Sequence, residues 1–184
     1  DNVQQEGLTM EIIKCTESDA DELARIVTET LQTAYDGILP PDLMDTGAIQ
    51  QRKGHLTYYY QNALRQNWTE SYLINFNGQN VGCFTFGLCR DPDCDGTTAE
   101  ILSMHIIKGY RHKGLGSQSL DFIENELKRQ GYNRALIWVL RNNVNPINFY
   151  IKNGFEPDGT CRSVVLGKNL LEQSYAKTLK LLVF

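Results

Sequence analysis

At 184 residues the chain is long enough for one well-filled core and short for two, so a single domain is expected. With 41% hydrophobic and 22% charged residues it has the composition of an ordinary soluble globule. It has no apolar run of about 18 residues that would suggest a membrane span. Its formal net charge of −4 argues against an extended nucleic-acid-binding face, which works by neutralising many phosphates.

The first residues, "DNVQQEGLTM", lack the basic start and apolar centre of a secretory leader, and a cytoplasmic location is expected. Residues 1–9 read as a flexible extension and 10–184 as one domain. "MEIIKC" reads as a short strand, and "TESDADELARIVTETLQTAY" as a helix capped by Ser18. Leu23, Val27 and Leu31 recur at helical spacing and define one buried stripe. "GILPPDLMD" breaks the chain at Pro40 and Pro41, and a second helix is expected from about Thr46 to Arg65, interrupted by Gly54.

"SYLINF" and "QNVGCFTFGL" are β-rich runs separated by Asn77-Gly78, which signals a hairpin of two antiparallel strands. The acidic turn "CRDPDCDG" leads into a third strand, "TAEILSMHII". Residues 114–130 form a helical pattern with Leu120, Ile123 and Leu127 on one face and Gly131 near its end. "ALIWVL" is a fully apolar run of the kind buried on both faces of a sheet. Residues 145–153 read as a helix closed by Gly154, followed by the strand candidates "TCRSVVLG" and "EQSYAKTLKLLV". The order implies a mixed α/β domain in three layers.

The cysteines Cys15, Cys83, Cys89, Cys94 and Cys161 are odd in number and scattered, which fits a reducing compartment better than a disulfide framework. Cys89 and Cys94 flank "RDPD", close to Asp91, Asp93 and Asp95, where a metal is imaginable. A structural zinc site would want a second pair of Cys or His, and none appears. No metal is expected, and the segment reads as an acidic loop.

"GYRHKGLGSQSL", residues 109–120, places glycines and basic residues between a strand and a helix. Such a turn presents unpaired backbone N–H groups at the positive end of the helix dipole, where phosphate oxygens bind well. Gly114 and Gly116 remove Cβ atoms that would hold a ligand off the backbone. Lys108, Arg111 and Lys113 add local charge. The stretch has neither the Gly-Lys-Ser/Thr ending of a P-loop nor the Gly-x-Gly-x-x-Gly dinucleotide fingerprint.

What remains is Arg-x-x-Gly-x-Gly, here Arg111-His112-Lys113-Gly114-Leu115-Gly116. A second segment, "NNVNPINFYIKNGFE", supplies Asn143, Phe149, Tyr150, Gly154 and Phe155. With these two motifs the chain resembles the GNAT superfamily of acyl-CoA-dependent N-acyltransferases. Pro146 departs from that pattern, since a small residue is commoner there. The resemblance implies the GNAT fold, a central and mostly antiparallel mixed sheet with helices on both faces. It also implies acetyl-CoA as cosubstrate, its pyrophosphate on Arg111, His112, Lys113, Gly114, Leu115, Gly116 and Ser117. The pantetheine arm would lie between splayed strands against Met104 and Ile106, with Asn143 bonding to its amides.

Acetyl transfer to an amine needs a proton acceptor, because an alkyl amine with a pKa near ~10.4 is protonated at neutral pH. Glu100 is the candidate base, read as in phase with Leu102, Met104 and Ile106. The alternative is a carboxylate that only pairs with a cation at the strand's exposed end. His105, on the opposite face in this phase, is the backup. Tyr150 is the candidate general acid toward the coenzyme sulfur, as the resemblance implies, while Phe149 packs inward; both rings in the core is the alternative. "TAYDGILPPDLMD" resembles the acceptor loop of small-amine and polyamine acetyltransferases, which implies Tyr35 and Asp36 as acceptor residues, with "HLTYYY" beside them. Acetylation of a primary amine on a small molecule is the expected activity. The alternatives are a protein or peptide N-terminal acetyltransferase and a regulatory module that binds acyl-CoA without turnover. A nucleic-acid partner ranks lower, and pairing of two copies through the C-terminal strands is plausible.

Overall fold

The computed structural model describes residues 9–34, 45–165 and 168–180. Seven strands form one sheet in the order β1-β2-β3-β4-β5-β7-β6. They are β1 (Met10–Lys14), β2 (Glu70–Phe76), β3 (Gln79–Leu88), β4 (Thr98–Ile106), β5 (Arg134–Leu140), β6 (Glu156–Val165) and β7 (Asn169–Thr178). Every neighbouring pair is antiparallel except β4 and β5. That parallel pair needs a crossover, which the helix between its strands supplies.

The helices are α1 (Ala20–Ala34), α2 (Thr46–Arg65), α3 (Leu115–Arg129) and α4 (Val144–Lys152). A short 3-10 turn, Glu17–Asp19, leads into α1, and Thr16 rather than Ser18 is its cap. The reason is local: the Thr16 N–H donates to Asp19 Oδ2 at 2.8 Å, closing a capping box. Asp45 caps α2 by accepting from the Ala48 N–H at 2.7 Å. The Asn77-Gly78 hairpin forms with φ of 52° and 79°, both positive as a tight two-residue turn requires.

Apolar periodicity divides the interior into two cores. Leu115, Leu120, Ile123 and Leu127 of α3 and Tyr150 of α4 pack on one sheet face with Phe84, Phe86, Ala99, Ile101, Ile137 and Val139. Leu23, Ile26 and Val27 of α1 and Tyr60 of α2 pack on the other with Leu73 and Cys83. Burying each large apolar side chain is worth roughly 1.5–3 kcal/mol, so the three layers expected from the chain order hold together on both sides of the sheet.

Two features of β4 matter for the site. Ser103 pairs with Thr85 and Ile101 with Phe86, so Leu102 is an extra residue, a β-bulge. It reverses the strand's alternation: Ala99 and Ile101 belong to the α3/α4 core, yet Met104 and Ile106 pack against that same core. Glu100 is therefore on the face opposite Met104 and Ile106, and it shares the α1/α2 side with His105, whose Nδ1 lies 2.9 Å from Thr30 Oγ1 on α1. The expected common phase of Glu100 with Met104 and Ile106 is corrected by this one inserted residue. The second feature is a splay: β4 and β5 pair only over Thr98↔Arg134, Ala99↔Ala135 and Glu100↔Leu136.

Candidate active site

Beyond Glu100 and Leu136 the two strands diverge, and β4 runs on to Ile106 and β5 to Leu140 without pairing. Ile107 donates to the Val81 carbonyl on the β3 side at 2.9 Å. Backbone groups alternate edges along a strand, so Met104 and Ile106 turn theirs toward the gap. The Ile106 carbonyl there accepts from Arg111 Nε at 2.9 Å. The Ile106 N–H and the Met104 groups face the open edge.

The gap leads to the start of α3. A 3-10 turn, Lys108–Tyr110, is followed by His112 at φ 62° and Gly114 at φ 80°, a left-handed backbone that Gly114 adopts without strain. Gly114 caps α3 with no side-chain hydrogen bond, which leaves the N–H groups of Leu115, Gly116 and Ser117 to bind from outside. A Cβ on Gly116 would lie 3.1 Å from Phe149 Cε2 and 3.2 Å from its Cζ. The glycine thus lets α4 approach α3, a second reason for its presence beside access to the backbone.

The basic residues divide their work. Arg111 is committed to the scaffold, since its Nη2 also donates to Thr33 Oγ1 at 3.1 Å. Lys113 is exposed and lies over the Tyr110 ring, 5.5 Å from its centroid. Leu115 is buried in the core, so only its backbone is available to a ligand.

On the far side of the gap, Asn143 caps α4 through its backbone, and its side chain makes no capping bond. Pro146 falls in the first turn of α4, where its missing N–H has no helical partner to lose. Tyr150 is 4% exposed and its ring meets Phe149 and Phe155 edge-on, with centroids 5.1 and 5.6 Å away. Phe149 is only partly buried, so the tyrosine is the more interior of the pair, contrary to the expected inward Phe149. No protein group bonds to the Tyr150 hydroxyl among the described residues, and burial pushes its pKa up. The proton stays on this hydroxyl at neutral pH.

Glu100, 2% exposed, has a partner the sequence did not disclose. Arg90 donates its backbone N–H and its Nε to Oε2, each at 3.1 Å, and its Nη2 to Oε1 at 2.8 Å. Burial raises the proton affinity of the carboxyl, but these bonds outweigh it, and the pKa is lowered. Oε1 accepts a single bond and retains a free lone pair. Near this pair, Arg162 lies over the Trp138 ring at 4.2 Å and donates Nε to Glu172 Oε2 at 2.7 Å. Arg90 follows Cys89, and Cys89 is disulfide-bonded to Cys94. This corrects the expectation of unpaired cysteines there: the loop brings the two sulfurs together, while Cys15, Cys83 and Cys161 are free.

Tyr35 and Asp36 lie outside the described residues. In "HLTYYY", Tyr60 is buried with its hydroxyl toward Ser103 and Thr85, Tyr58 is exposed, and Tyr59 is within electrostatic range of Arg90. Among the described residues no group of three or more His, Cys, Asp or Glu side chains is placed to hold a metal ion. Nor is any helix among them long and apolar enough to cross a membrane.

The splayed parallel pair thus opens beside a glycine-lined helix start that has no side-chain cap. Residues 33–155 match the acetyltransferase (GNAT) family, and the chain belongs to that family. GNAT acetyltransferases use acetyl-CoA as acetyl donor. The spermidine N(1)-acetyltransferase of Thermoplasma acidophilum is 23% identical over 164 residues, covering 83% of this chain and 92% of that protein. The crystal structure of the PaiA N-acetyltransferase of Thermoplasma acidophilum, in complex with coenzyme A, superposes with a TM-score of 0.70 at 20% identity, over 92% of this chain and 99% of that one. An N-acetyltransferase from Staphylococcus aureus Mu50 gives a TM-score of 0.69 at 20% identity, over 94% and 99% of the two chains.

Proposed function

We propose that this acetyltransferase acetylates a primary amine on a small molecule, with Glu100 handling the proton of the amine and Tyr150 that of the departing thiol. The observation that carries the reading is the splay of β4 from β5, with Glu100 at its closed end and the start of α3 at its open one. Acetyl-CoA supplies an activated acetyl thioester there.

The residues fit that donor. The N–H groups of Leu115, Gly116 and Ser117 would hold the pyrophosphate, with Lys113 and His112 beside it and Arg111 bracing the loop. Met104 and Ile106 would bond through their backbone to the pantetheine arm, and Asn143 would add its free amide. N–H groups at the gap would stabilise negative charge developing on the thioester oxygen. Glu100 Oε1 would accept a proton from the amine, directly or through a water. Its lowered pKa keeps it ionised at neutral pH, able to accept that proton. Tyr150, holding its proton in an apolar setting, would deliver it to the thiolate as the C–S bond breaks.

The similarity to a spermidine acetyltransferase supports a polyamine-like acceptor, and so does the net charge of −4. The test is mass spectrometry of acetylated product and coenzyme A release across polyamines, amino acids, aminoglycosides and short peptides. Turnover is expected on one class of small amines. Turnover on peptides alone would replace this reading with a protein acceptor, and saturable acetyl-CoA binding without turnover on any amine would replace it with a binding module.

A further inference from the structure

We propose that Arg90 is a positioning residue for Glu100, and that the Cys89–Cys94 disulfide, by closing the loop that carries Arg90, makes this positioning sensitive to thiol redox state. The proposal rests on the reading of Glu100 as the group that handles the proton.

The geometry is specific. Arg90 grips one buried carboxylate with three donors, two from the guanidinium and one from its own backbone. A side chain alone could swing away, but the backbone N–H bond requires the loop itself to stay against β4. Asp95 pins the far end of the loop to the start of β4, its carbonyl accepting from the Thr98 N–H at 3.2 Å and its Oδ1 from the Thr98 hydroxyl at 3.0 Å, and two features hold the end that carries Arg90. Cys89 donates to the Thr98 carbonyl at a rather long 3.3 Å, and the disulfide ties Cys89 to Cys94 across the turn. Within the turn, the Cys94 N–H donates to the Asp91 carbonyl at 3.0 Å.

Other charges face the pair. Arg162 of β6 acts on Glu100, while Glu172 of β7 and Tyr59 of α2 act on Arg90. Arg162 is already paired with Glu172 and stacked on Trp138, so it is not free to replace Arg90.

Cys94 is partly exposed and Cys89 buried, which directs thiol attack to the Cys94 sulfur. A dithiol reductant would form a mixed disulfide there as the Cys89–Cys94 bond breaks, and Cys89 would leave as a thiolate that takes up a proton. The second reductant thiol would then displace Cys94, which is protonated in turn. Two electrons and two protons pass to the protein pair, and the reductant leaves as a cyclic disulfide. The opened loop releases the backbone donor from Glu100 Oε2.

The experiment is titration of the Glu100 side-chain carbon by NMR in full-length protein labelled with 13C-glutamate, its signal assigned with Glu100→Gln. The kcat/KM pH profile is measured in parallel on the amine that turns over. In Arg90→Gln both the Glu100 midpoint and the acid limb are expected to rise by about one pH unit or more, as on removing an arginine from a carboxylate. Arg90→Lys should restore part of the shift. Wild type treated with a dithiol should move in the same direction by less, whereas the Cys89→Ser, Cys94→Ser double variant should give one midpoint with and without dithiol. A Glu100 midpoint unmoved by Arg90→Gln or by dithiol in wild type would overturn the proposal. An NMR shift with no change in the acid limb, together with full activity of Glu100→Gln, would instead refute the proton-handling role while leaving the clamp in place.

Discussion

Tyr150→Phe separates packing from proton delivery in a single side chain. The ring is fixed by edge contacts with Phe149 and Phe155, and phenylalanine keeps both. The hydroxyl has no protein partner among the described residues, so its removal leaves no buried group unpaired. The expected cost in stability is below about 0.5 kcal/mol, a Tm change within about 2 °C for a chain of this size. The effect on turnover should be far larger. Proton transfer by a positioned acid is worth roughly 10²- to 10⁴-fold, or about 3–5 kcal/mol of barrier. The assay is steady-state acetyl-CoA turnover read by mass spectrometry, with acetyl-CoA binding followed by calorimetry and unfolding by thermal melt. A kcat equal to wild type would refute the acid role, and a fall matched by an equal loss of acetyl-CoA affinity would assign the hydroxyl to binding instead.

Gly116→Val should destabilise the fold by about 1–3 kcal/mol through overpacking against Phe149 and raise KM for acetyl-CoA, both measurable by urea unfolding and initial rates. An unchanged KM would show that the helix start does not approach the ligand. His105 should make stability depend on pH. Burial, with Arg111 nearby, holds it down to about 4, so an unfolded chain with its imidazole near ~6.5 binds a proton that the folded one refuses. Stability from this group is complete above about pH 6.5 and falls by up to about 3 kcal/mol as pH drops toward about 4. Urea midpoints of wild type and His105→Gln should therefore diverge across that window, and parallel curves would refute the assignment.

The element order was legible because each segment carries its own local signal. The Asn77-Gly78 turn, the apolar stripe of α3 and the closed run of β5 form where periodicity and turn chemistry place them. The loop motif was legible for the same reason, being local and glycine-marked. What escaped has no local signature. Nothing in "AEILSMHII" marks Leu102 as an extra residue, because a bulge is set by pairing with β3. Arg90 reads as one residue of an acidic turn, and only the fold lays it across Glu100. The scattered cysteines read as unpaired, and only the fold of the loop between β3 and β4 brings the Cys89 and Cys94 sulfurs together.

The bulge in β4 also marks the point where the strand's two proposed tasks meet. In the proposed mechanism the strand before Leu102 offers a side chain to the acceptor, and the strand after it offers main-chain groups to the donor. The two tasks would use different groups, a side chain on one face and main chain at one edge, so neither dictates the other. Under that mechanism, substitutions around Glu100, Arg90 and α2 would change acceptor preference without disturbing the proposed donor cradle. Deleting Leu102 would let Ser103 follow Ile101 in regular alternation with β3, so Glu100 and His105 would keep the α1/α2 face and Met104 the α3/α4 face.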